Sequence, residues 1–350
     1  MNKKYDIVVY IGRFQPPHYG HLKTIEKALT LGNRVMVLIG SAYRPRDSRN
    51  PFSWEERAKM IDFTVSASNQ LDADRITYSP IRDHLYSDAT WVIEVQGRVR
   101  EQVEEIRNPK IGIIGMNKDH SSYYLKMFPQ WESIVADEVH GMDSTWIREK
   151  YFSDRNTWDE EGRSLAARNT SPAVIEFLDN FIEKHTEEWS RIGRELAHIK
   201  VYKKSWALAP YPPTFVTADA VVIQSGHILM VKRGAMPGEG LWALPGGFVN
   251  QFETIEDACI RELREETKLK VPDPVLRGSI MAEKQFDHPQ RSLRGRTITT
   301  AFFIKLQDGD LPKVKGSDDA AYARWIPLSE FDRMEEQIFE DHYHIVKYFI

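Results

Sequence analysis

The chain has 350 residues, 41% hydrophobic and 28% charged, with 47 basic and 51 acidic side chains for a net charge of −4. This is ordinary globular composition, with length for two or three domains and no global basic field for nucleic acid or an acidic membrane surface. One cysteine, Cys259, excludes an intrachain disulfide framework and fits a reducing compartment, and no apolar run approaches the roughly 18 residues of a membrane span.

The first five apolar residues after Asn2-Lys3-Lys4 are too few for a signal-peptide core, so the expected location is cytoplasmic. The run DIVVYIG (6–12) predicts a buried strand. HLKTIEKALTLG (21–32) predicts a helix, with Leu22, Ile25 and Leu29 at helical spacing and Gly32 closing it. NRVMVLIG (33–40) reads as a strand and FSWEERAKMIDFTV (52–65) as a helix with Ser53 as N-cap. RITYSPI, helical DATWVIEVQGRVREQVEEI and KIGIIG extend the alternation. Such β-α-β order predicts a parallel sheet with helices on both faces, right-handed crossovers and a ligand site at the carboxyl ends of the strands. Residues 171–199 read as helical, and SWALAPYPP (205–213), with Pro210, Pro212 and Pro213, as a stiff extended connector. TFVTADAVVIQ and HILMVKR then read as strands joined at Ser225-Gly226. The expected boundaries are a first domain at 1–185, a helical linker at 186–205 and a second domain at 206–350.

Between the first strand and helix lies GRFQPPHYGH (12–21). Gly12 permits a tight turn, Pro16 and Pro17 hold the loop extended, and Gly20 allows close approach to the backbone. A helix start near His21 offers free N–H groups and a positive dipole end, suited to phosphate. His18 and His21 add two imidazoles at the same place. The stretch resembles the nucleotidylyltransferase signature, in which His-x-Gly-His binds nucleoside triphosphate. GMDSTWIRE (141–149) resembles that family's Ser-Thr-x-Ile-Arg element. The resemblance implies a Rossmann-like domain with ATP bound by Gly12, Arg13, Phe14, His18, His21, Ser144, Thr145 and Arg148. Ser144 and Thr145 are expected to cap the next helix, and Arg148 to reach the phosphates. IGSAYRPRDSRNPFSWEER and RDHLYSDATWVIEV are similar to nicotinamide mononucleotide (NMN) adenylyltransferases of the archaeal type. That likeness implies Arg46 or Arg49 on the NMN phosphate and Asp83 with Trp91 at the nicotinamide. Asn117, Lys118 and Asp119 follow a strand and point to the same region.

In LPGGFVNQFETIEDACIRELREETKL, Glu262, Glu265 and Glu266 fall at i, i+3, i+4 on one helix face. Like charges at that spacing repel, and a hard divalent cation would reverse the penalty. The whole spacing, from Gly247 through Glu253 to the Arg261-Glu262 pair, resembles the Nudix box, which implies an α/β/α sandwich. Lys268 departs from it, standing where the box has a left-handed Gly. Cys259, among apolar positions of that helix, reads as a buried small residue. FDHPQRSLRGRTITTAFF is similar to ADP-ribose-type Nudix domains and implies Arg291, Arg294 and Arg296 on the diphosphate. Asp318 or Asp319 is expected in a late loop that can hold a base.

Together the resemblances imply an enzyme of NAD metabolism with two activities: adenylyl transfer from ATP to NMN, and hydrolysis of ADP-ribose. Glu262, Glu265 and Glu266 are expected to hold Mg²⁺ or Mn²⁺. Two alternatives stay open: a second domain that senses ADP-ribose or NAD without catalysis, and a first domain acting on another phosphate acceptor. Expected partners are the small molecules ATP, NMN and ADP-ribose, with no nucleic acid and no membrane; homo-oligomerisation is left open.

Overall fold

A computed structural model describes residues 3–68, 71–116, 124–137, 139, 143–153 and 158–350. The chain divides into two compact units, Met1–Leu196 and Ala197–Ile350. Among the described residues no helix is long and apolar enough to cross a membrane.

The first unit begins with β1 (Tyr5–Gly12), α1 (Tyr19–Leu31), β2 (Gly32–Ile39), α2 (Trp54–Ser66), β3 (Ile76–Pro80), α3 (Asp88–Val103), β4 (Ile111–Gly115) and β5 (Glu132–Val135). All strand pairs are parallel, in the order β3-β2-β1-β4-β5, with Val9 opposite Met36 on one side and Ile113 on the other. The period of two along each strand builds two cores. Val8, Tyr10, Val35 and Val37 face Ile25 and Leu29 of α1 and Ile61 of α2. Ile7, Val9, Met36 and Leu38 face Val95 and Val99 of α3. The strand order reverses beside β1, so its carboxyl end opens on the crevice that such sheets use for ligands.

Four helices follow, α4 (Ser144–Tyr151), α5 (Glu160–Ala167), α6 (Pro172–Lys184) and α7 (Thr186–Ser205). Their apolar sides close a third core around Tyr151, Phe152, Leu178 and Trp189, joined by Phe52 and Met60. The helical run expected at 171–199 breaks at His185, where α6 ends. The connector is wound rather than extended at its start. The N–H groups of Trp206, Ala207 and Ala209 bond to carbonyls three residues back. Prolines forbid such winding only from Pro210 onward, so residues 205–209 keep the turn of α7.

In the second unit β6 (Thr214–Gln224), β7 (His227–Arg233), β8 (Trp242–Ala243) and β9 (Gly246–Phe248) precede α8 (Ile255–Thr267) and α9 (Asp273–Gly278). β10 (Ile280–Phe286), β11 (Arg296–Lys305), β12 (Ala320–Pro327), α10 (Leu328–Phe331) and α11 (His342–Phe349) complete it. The mixed sheet runs β10-β11-β6-β7-β12, with β11 parallel to β6 and β8 and β9 paired to its inner strands. Ala258, Cys259 and Leu263 of α8 pack on Ala218, Ala220 and Val222 of β6. The same inward side of α8 carries Glu262 and Glu266, beside Gly247 and Gly246 of β9.

Candidate active sites

At the end of β1 a Cβ on Gly12 would lie 2.7 Å from Phe14 Cζ, so Gly12 makes room for a ring, where the sequence reading gave it a turn. Phe14 has φ of 52° and is 1% exposed. Its ring meets Tyr10 edge-on at 5.3 Å and His21 at 4.9 Å. The Phe14 side chain thus supports the His21 imidazole from the core.

α1 starts at Tyr19, two residues before the expected position, because His18 itself is the N-cap. Gly20 N–H donates to His18 Nδ1 and His18 N–H to His21 Nδ1, both at 3.1 Å, forming a capping box made of imidazoles. A Cβ on Gly20 would sit 3.0 Å from His18 Cε1, so this glycine too makes room for a motif ring. A neutral imidazole whose Nδ1 accepts carries its proton on Nε2. Both rings are therefore Nε2–H donors.

The loop's carbonyls are turned to other partners. Gln15 O accepts from Arg148 Nη1 at 2.6 Å, Pro16 O from Ser144 Oγ at 2.9 Å and Pro17 O from Thr170 Oγ1 at 2.7 Å. The cap of α4 is Asp143, whose carboxylate accepts Thr145 N–H at 2.7 Å. This corrects the expected Ser144/Thr145 cap: a carboxylate suits that end better, which frees the Ser144 hydroxyl for the loop and Thr145 Oγ1 for Arg148 Nη2. Burial and then the charge of Arg13 pull Arg148 down to about 10; Asp143 and Asp47 oppose them, and Arg49 adds to the repulsion. The charges of Arg13 and Arg49 thus act on Arg148, and an anion nearby would relieve that repulsion.

Arg46 is committed elsewhere. Its guanidinium forks onto Glu56 at 2.7 and 2.9 Å, donates to Pro51 O and lies 5.4 Å from the Phe181 ring. Its planar fork thus holds a carboxylate in this structure. Asp83 Oδ1 accepts from Ser41 N at 3.1 Å and Ser41 Oγ at 2.8 Å, tying the end of β3 to the end of β2. Half-buried Trp91 packs against Tyr124 and Phe128 at 6.2 and 5.8 Å. Asn117, Lys118 and Asp119 lie outside the described residues.

Sequence reasoning missed Arg57, which is fully buried and donates to the carbonyls of Arg13, Gly40, Ser41 and Ser53. Burial lowers it to about 9. It gathers the loops after β1 and β2 from below. Its signal was available: Arg57, Ile61 and Val65 are one buried stripe of α2, and a charge on such a stripe needs partners.

In the second unit, β9 carries Gly246 and Gly247 across the start of a cavity of about 240 Å³. A Cβ on Gly247 would lie 2.4 Å from Glu262 Oε1, so only glycine admits that carboxylate. Glu266 is 7% exposed and accepts Gly246 N–H at 3.0 Å. Burial pushes it up to about 8, with the charges of Glu262 and Asp219 adding. Glu262 is also raised, chiefly by burial. Arg261 spans the rim, bonding Glu253, Glu262, Glu265 and Phe248 O. It holds Glu253 down at about 2.

The three glutamates are thus divided. Glu262 and Glu266 line the cavity, whereas Glu265 stands on the rim, its side chain 45% exposed. Among the described residues no three His, Cys, Asp or Glu groups converge as a ready metal cage. Two desolvated carboxylates, with the charge of Glu262 adding to the rise at Glu266, still fit a hard divalent cation, which takes carboxylate oxygens together with water and substrate phosphate.

The three arginines part company as well. Arg291 is 2% exposed and forms two 2.9 Å bonds with Asp341, so it is a structural ion pair in the cavity wall. Arg296 is paired with Asp287 and lines a different cavity. Asp341, distant in sequence, and Asp287, on the facing loop, pair with their guanidiniums. Arg294 faces the cavity, held by Ser292 Oγ at 3.3 Å and Glu340 at 3.8 Å. Asp318 and Asp319 line the same cavity, and Asp318 has φ of 57°. Asp219 and His342 were not foreseen. Leu244 N–H donates to His342 Nδ1 at 2.9 Å, which aims its Nε2 at Asp219 Oδ1, 4.0 Å away, and Asp219 Oδ2 accepts from Thr299 Oγ1.

Comparison with known proteins divides the chain in the same way. Residues 9–150 match the Cytidylyltransferase-like family model and residues 213–349 the NUDIX domain model. The nicotinamide/nicotinic acid mononucleotide adenylyltransferase of Acinetobacter baylyi is 41% identical over 153 residues, covering 43% of this chain and 78% of that protein. The ADP-ribose pyrophosphatase of Methanocaldococcus jannaschii is 34% identical over 130 residues, 36% of this chain and 72% of that protein. A bifunctional NMN adenylyltransferase/ADP ribose pyrophosphatase from Francisella tularensis, crystallised with AMP and a Mn ion, superposes with a TM-score of 0.88 at 36% identity, covering 98% of both chains. With a Rossmann-like nucleotidyltransferase unit and a Nudix unit in one polypeptide, the chain belongs to the family of bifunctional NMN adenylyltransferase/ADP-ribose pyrophosphatases.

Proposed function

We infer that the first unit joins ATP and NMN to give NAD and pyrophosphate, and that the second hydrolyses ADP-ribose to AMP and ribose 5-phosphate with Mg²⁺, Mn²⁺ being able to replace it. The observation that carries the first half is the pair of Nδ1-accepting imidazoles, His18 and His21, at the start of α1 beside the switch point of the sheet, with Arg148 bound to the same loop. For the second it is buried Glu266 and part-buried Glu262 lining one cavity together with Arg294.

In the first reaction a phosphate oxygen of NMN attacks the α-phosphorus of ATP in line. A P–O bond forms, the bond from that phosphorus to the α,β-bridging oxygen breaks, and pyrophosphate leaves with the electron pair. The nucleophile arrives already ionised, so the chain's task is alignment and charge. His18, His21 and Arg148 would take up the charge that grows on the leaving phosphates. In the second reaction a water oxygen attacks one phosphorus of the diphosphate, the bridging P–O bond breaks with its electron pair on the bridging oxygen, and the protons of the water pass to solvent or the departing phosphate. A divalent ion held by Glu262 and Glu266 would neutralise charge on the departing phosphate. Arg294 supplies a planar donor to the diphosphate, Glu265 and Arg261 fix the rim, and Arg291 with Asp341 holds the wall. Retention of all three box glutamates favours hydrolysis over ligand sensing.

The test is to incubate the full chain with Mg²⁺, ATP and NMN, and separately with Mg²⁺ and ADP-ribose, reading products by chromatography. His18→Ala is expected to lose the first reaction alone, and Glu262→Gln or Glu266→Gln the second alone. ADP-ribose cleavage surviving in both glutamine variants would refute the hydrolase site.

A further inference from the structure

We propose that Arg191 of α7 is a positioning residue for adenylyl transfer, holding the loop of residues 46–51 so that Arg49 meets the phosphate of NMN. The inference rests on the reading of the first unit as an adenylyltransferase and adds to it a residue outside that unit's motifs.

The shape of this loop is set from within. Asp47 Oδ1 accepts the N–H groups of Arg49 and Asn50 at 2.7 and 2.6 Å, and Asp47 N–H donates to Asn50 O at 3.4 Å. Its place is set from outside. The buried Gln15 side chain bonds Phe52 N–H at 3.1 Å and Phe52 O at 2.9 Å, which ties the loop's far end to GRFQPPHYGH. Arg148 Nε donates to Ser48 O at 3.2 Å, and the Arg46 guanidinium is forked on Glu56 of α2. Where the loop begins, Arg191 Nη2 donates to Arg46 O at 2.8 Å. The charge of Arg49 acts on Arg148, whose Nη1 holds Gln15 O. An anion at that point is attracted by both arginines.

Arg191 is itself firmly mounted in the first unit. Its neighbours Trp189 and Ile192 are buried in the third core, and Trp189 Nε1 donates to Tyr151 O at 3.2 Å. Glu188, one turn before, accepts from Arg191 Nη2 at 2.6 Å, and Glu195, one turn after, lies 3.6 Å from Nη1. Burial opposes the charge of the guanidinium, but Glu188, Glu195 and Asp47 outweigh it and raise its pKa above the ordinary value. One planar guanidinium thus serves two carboxylates and a loop carbonyl. A loop ordered before NMN arrives spares binding the entropy of ordering it. Arg191 lies beyond residue 150, where the match to the Cytidylyltransferase-like model ends. The segment expected as a linker thereby acts in recognition by the first unit.

The test is steady-state NAD synthesis by the full chain, with KM for NMN and for ATP read separately. Removing the guanidinium alone would strand Glu195, whose side chain is 3% exposed. The variant is therefore Arg191→Met/Glu195→Gln, with Glu195→Gln as its control. Misfolded molecules lower the apparent kcat but leave KM, which reports folded sites, where it was. One charge-assisted bond to phosphate is worth roughly 10- to 100-fold in affinity, and Arg49→Ala should raise KM for NMN on that scale. The Arg191 variant is expected to raise KM for NMN at least about fivefold with little loss in kcat. Its KM for ATP should stay within about twofold, because Arg148 keeps Gln15 O and Thr145 Oγ1. Added to Arg49→Ala, it should do little more, since the arginine it positions is gone. An unchanged KM for NMN in the Arg191 variant, an equal rise for NMN and ATP, or the same rise with and without Arg49 would each refute the positioning role and leave the adenylyltransferase reading intact. So would an unchanged KM in Arg49→Ala. An unaltered chain that makes no NAD would overturn both.

Discussion

The imidazoles of His18 and His21 stack with centres 3.6 Å apart and planes 21° from parallel. Each gives its Nδ1 to a backbone N–H of the same turn, so capping α1 and presenting two Nε2–H donors are one structural act.

That coupling can be split by substitution. His18→Asn keeps a good N-cap acceptor but removes the Nε2 donor. It should leave the thermal midpoint within a few degrees while lowering kcat for adenylyl transfer by about 10²–10³, the scale for losing one charge-stabilising donor. His21→Ala removes acceptor and donor together and should add a stability loss of about 1 kcal/mol. Pyrophosphate release and thermal melts read the two effects separately. Full turnover in His18→Asn would mean that the ring does nothing beyond capping.

Arg291 and Arg294, three residues apart, should fail in different ways. Arg291→Ala strands the fully buried Asp341 carboxylate, and breaking such a pair costs about 3–5 kcal/mol. The second unit should then melt early, with hydrolysis lost through unfolding. Arg294→Ala removes a cavity-facing guanidinium whose ion pair with Glu340 is long, at 3.8 Å. Its melt should stay near that of the unaltered chain while kcat/KM for ADP-ribose falls at least tenfold. Equal melting losses in the two variants would erase the distinction between wall and donor.

The contrast shows what the sequence could and could not convey. The strand, loop and helix around GRFQPPHYGH and the glutamate spacing of α8 are local patterns, and local rules of periodicity and capping recover them. Cys259 was placed in the core by the same periodicity. What escaped depends on residues far apart in the chain. Nothing near Arg291 announces Asp341, and nothing near His342 announces Asp219. Three arginines on one loop look alike until the fold sends one into the wall, one into the cavity and one to a different cavity. The cap of α4 was misplaced by one residue because Asp, Ser and Thr stand in a row and only the backbone decides among them.

Lys268 tests one local rule quantitatively. It ends α8 with φ of 52° and ψ of 27°, the left-handed conformation that the Nudix box gives to glycine, and its N–H still closes on Arg264 O at 2.9 Å. A side chain there costs roughly 1–2 kcal/mol, part of which a glycine returns through the entropy of the unfolded chain. Lys268→Gly should therefore stabilise the second unit by about 0.5–1 kcal/mol, a rise of a few degrees in its melting temperature. Hydrolysis should be unchanged, because Lys268 does not line the carboxylate cavity. A lower midpoint would show that the lysine makes compensating contacts.

His342 sets a pH dependence with a definite sign. It is buried at the start of α11, and burial lowers its pKa below the ordinary histidine value. Asp219, Asp341 and Glu340 resist that shift, while Arg291 assists it. An unfolded histidine titrates near about 6.5. Below that pH the unfolded chain takes up a proton that the folded chain refuses, so the unfolded state is favoured increasingly as pH falls toward the folded value. The stabilisation is whole above the unfolded pKa and drains away on acidification. His342→Asn offers Leu244 N–H a similar acceptor without a titrating ring. Urea midpoints of the second unit measured from pH 8 to pH 5 should fall less steeply in this variant than in the unaltered chain. Parallel curves would mean that the ring is accessible to protons in the folded state, and that its bond from Leu244 does not hold Nδ1 as an acceptor.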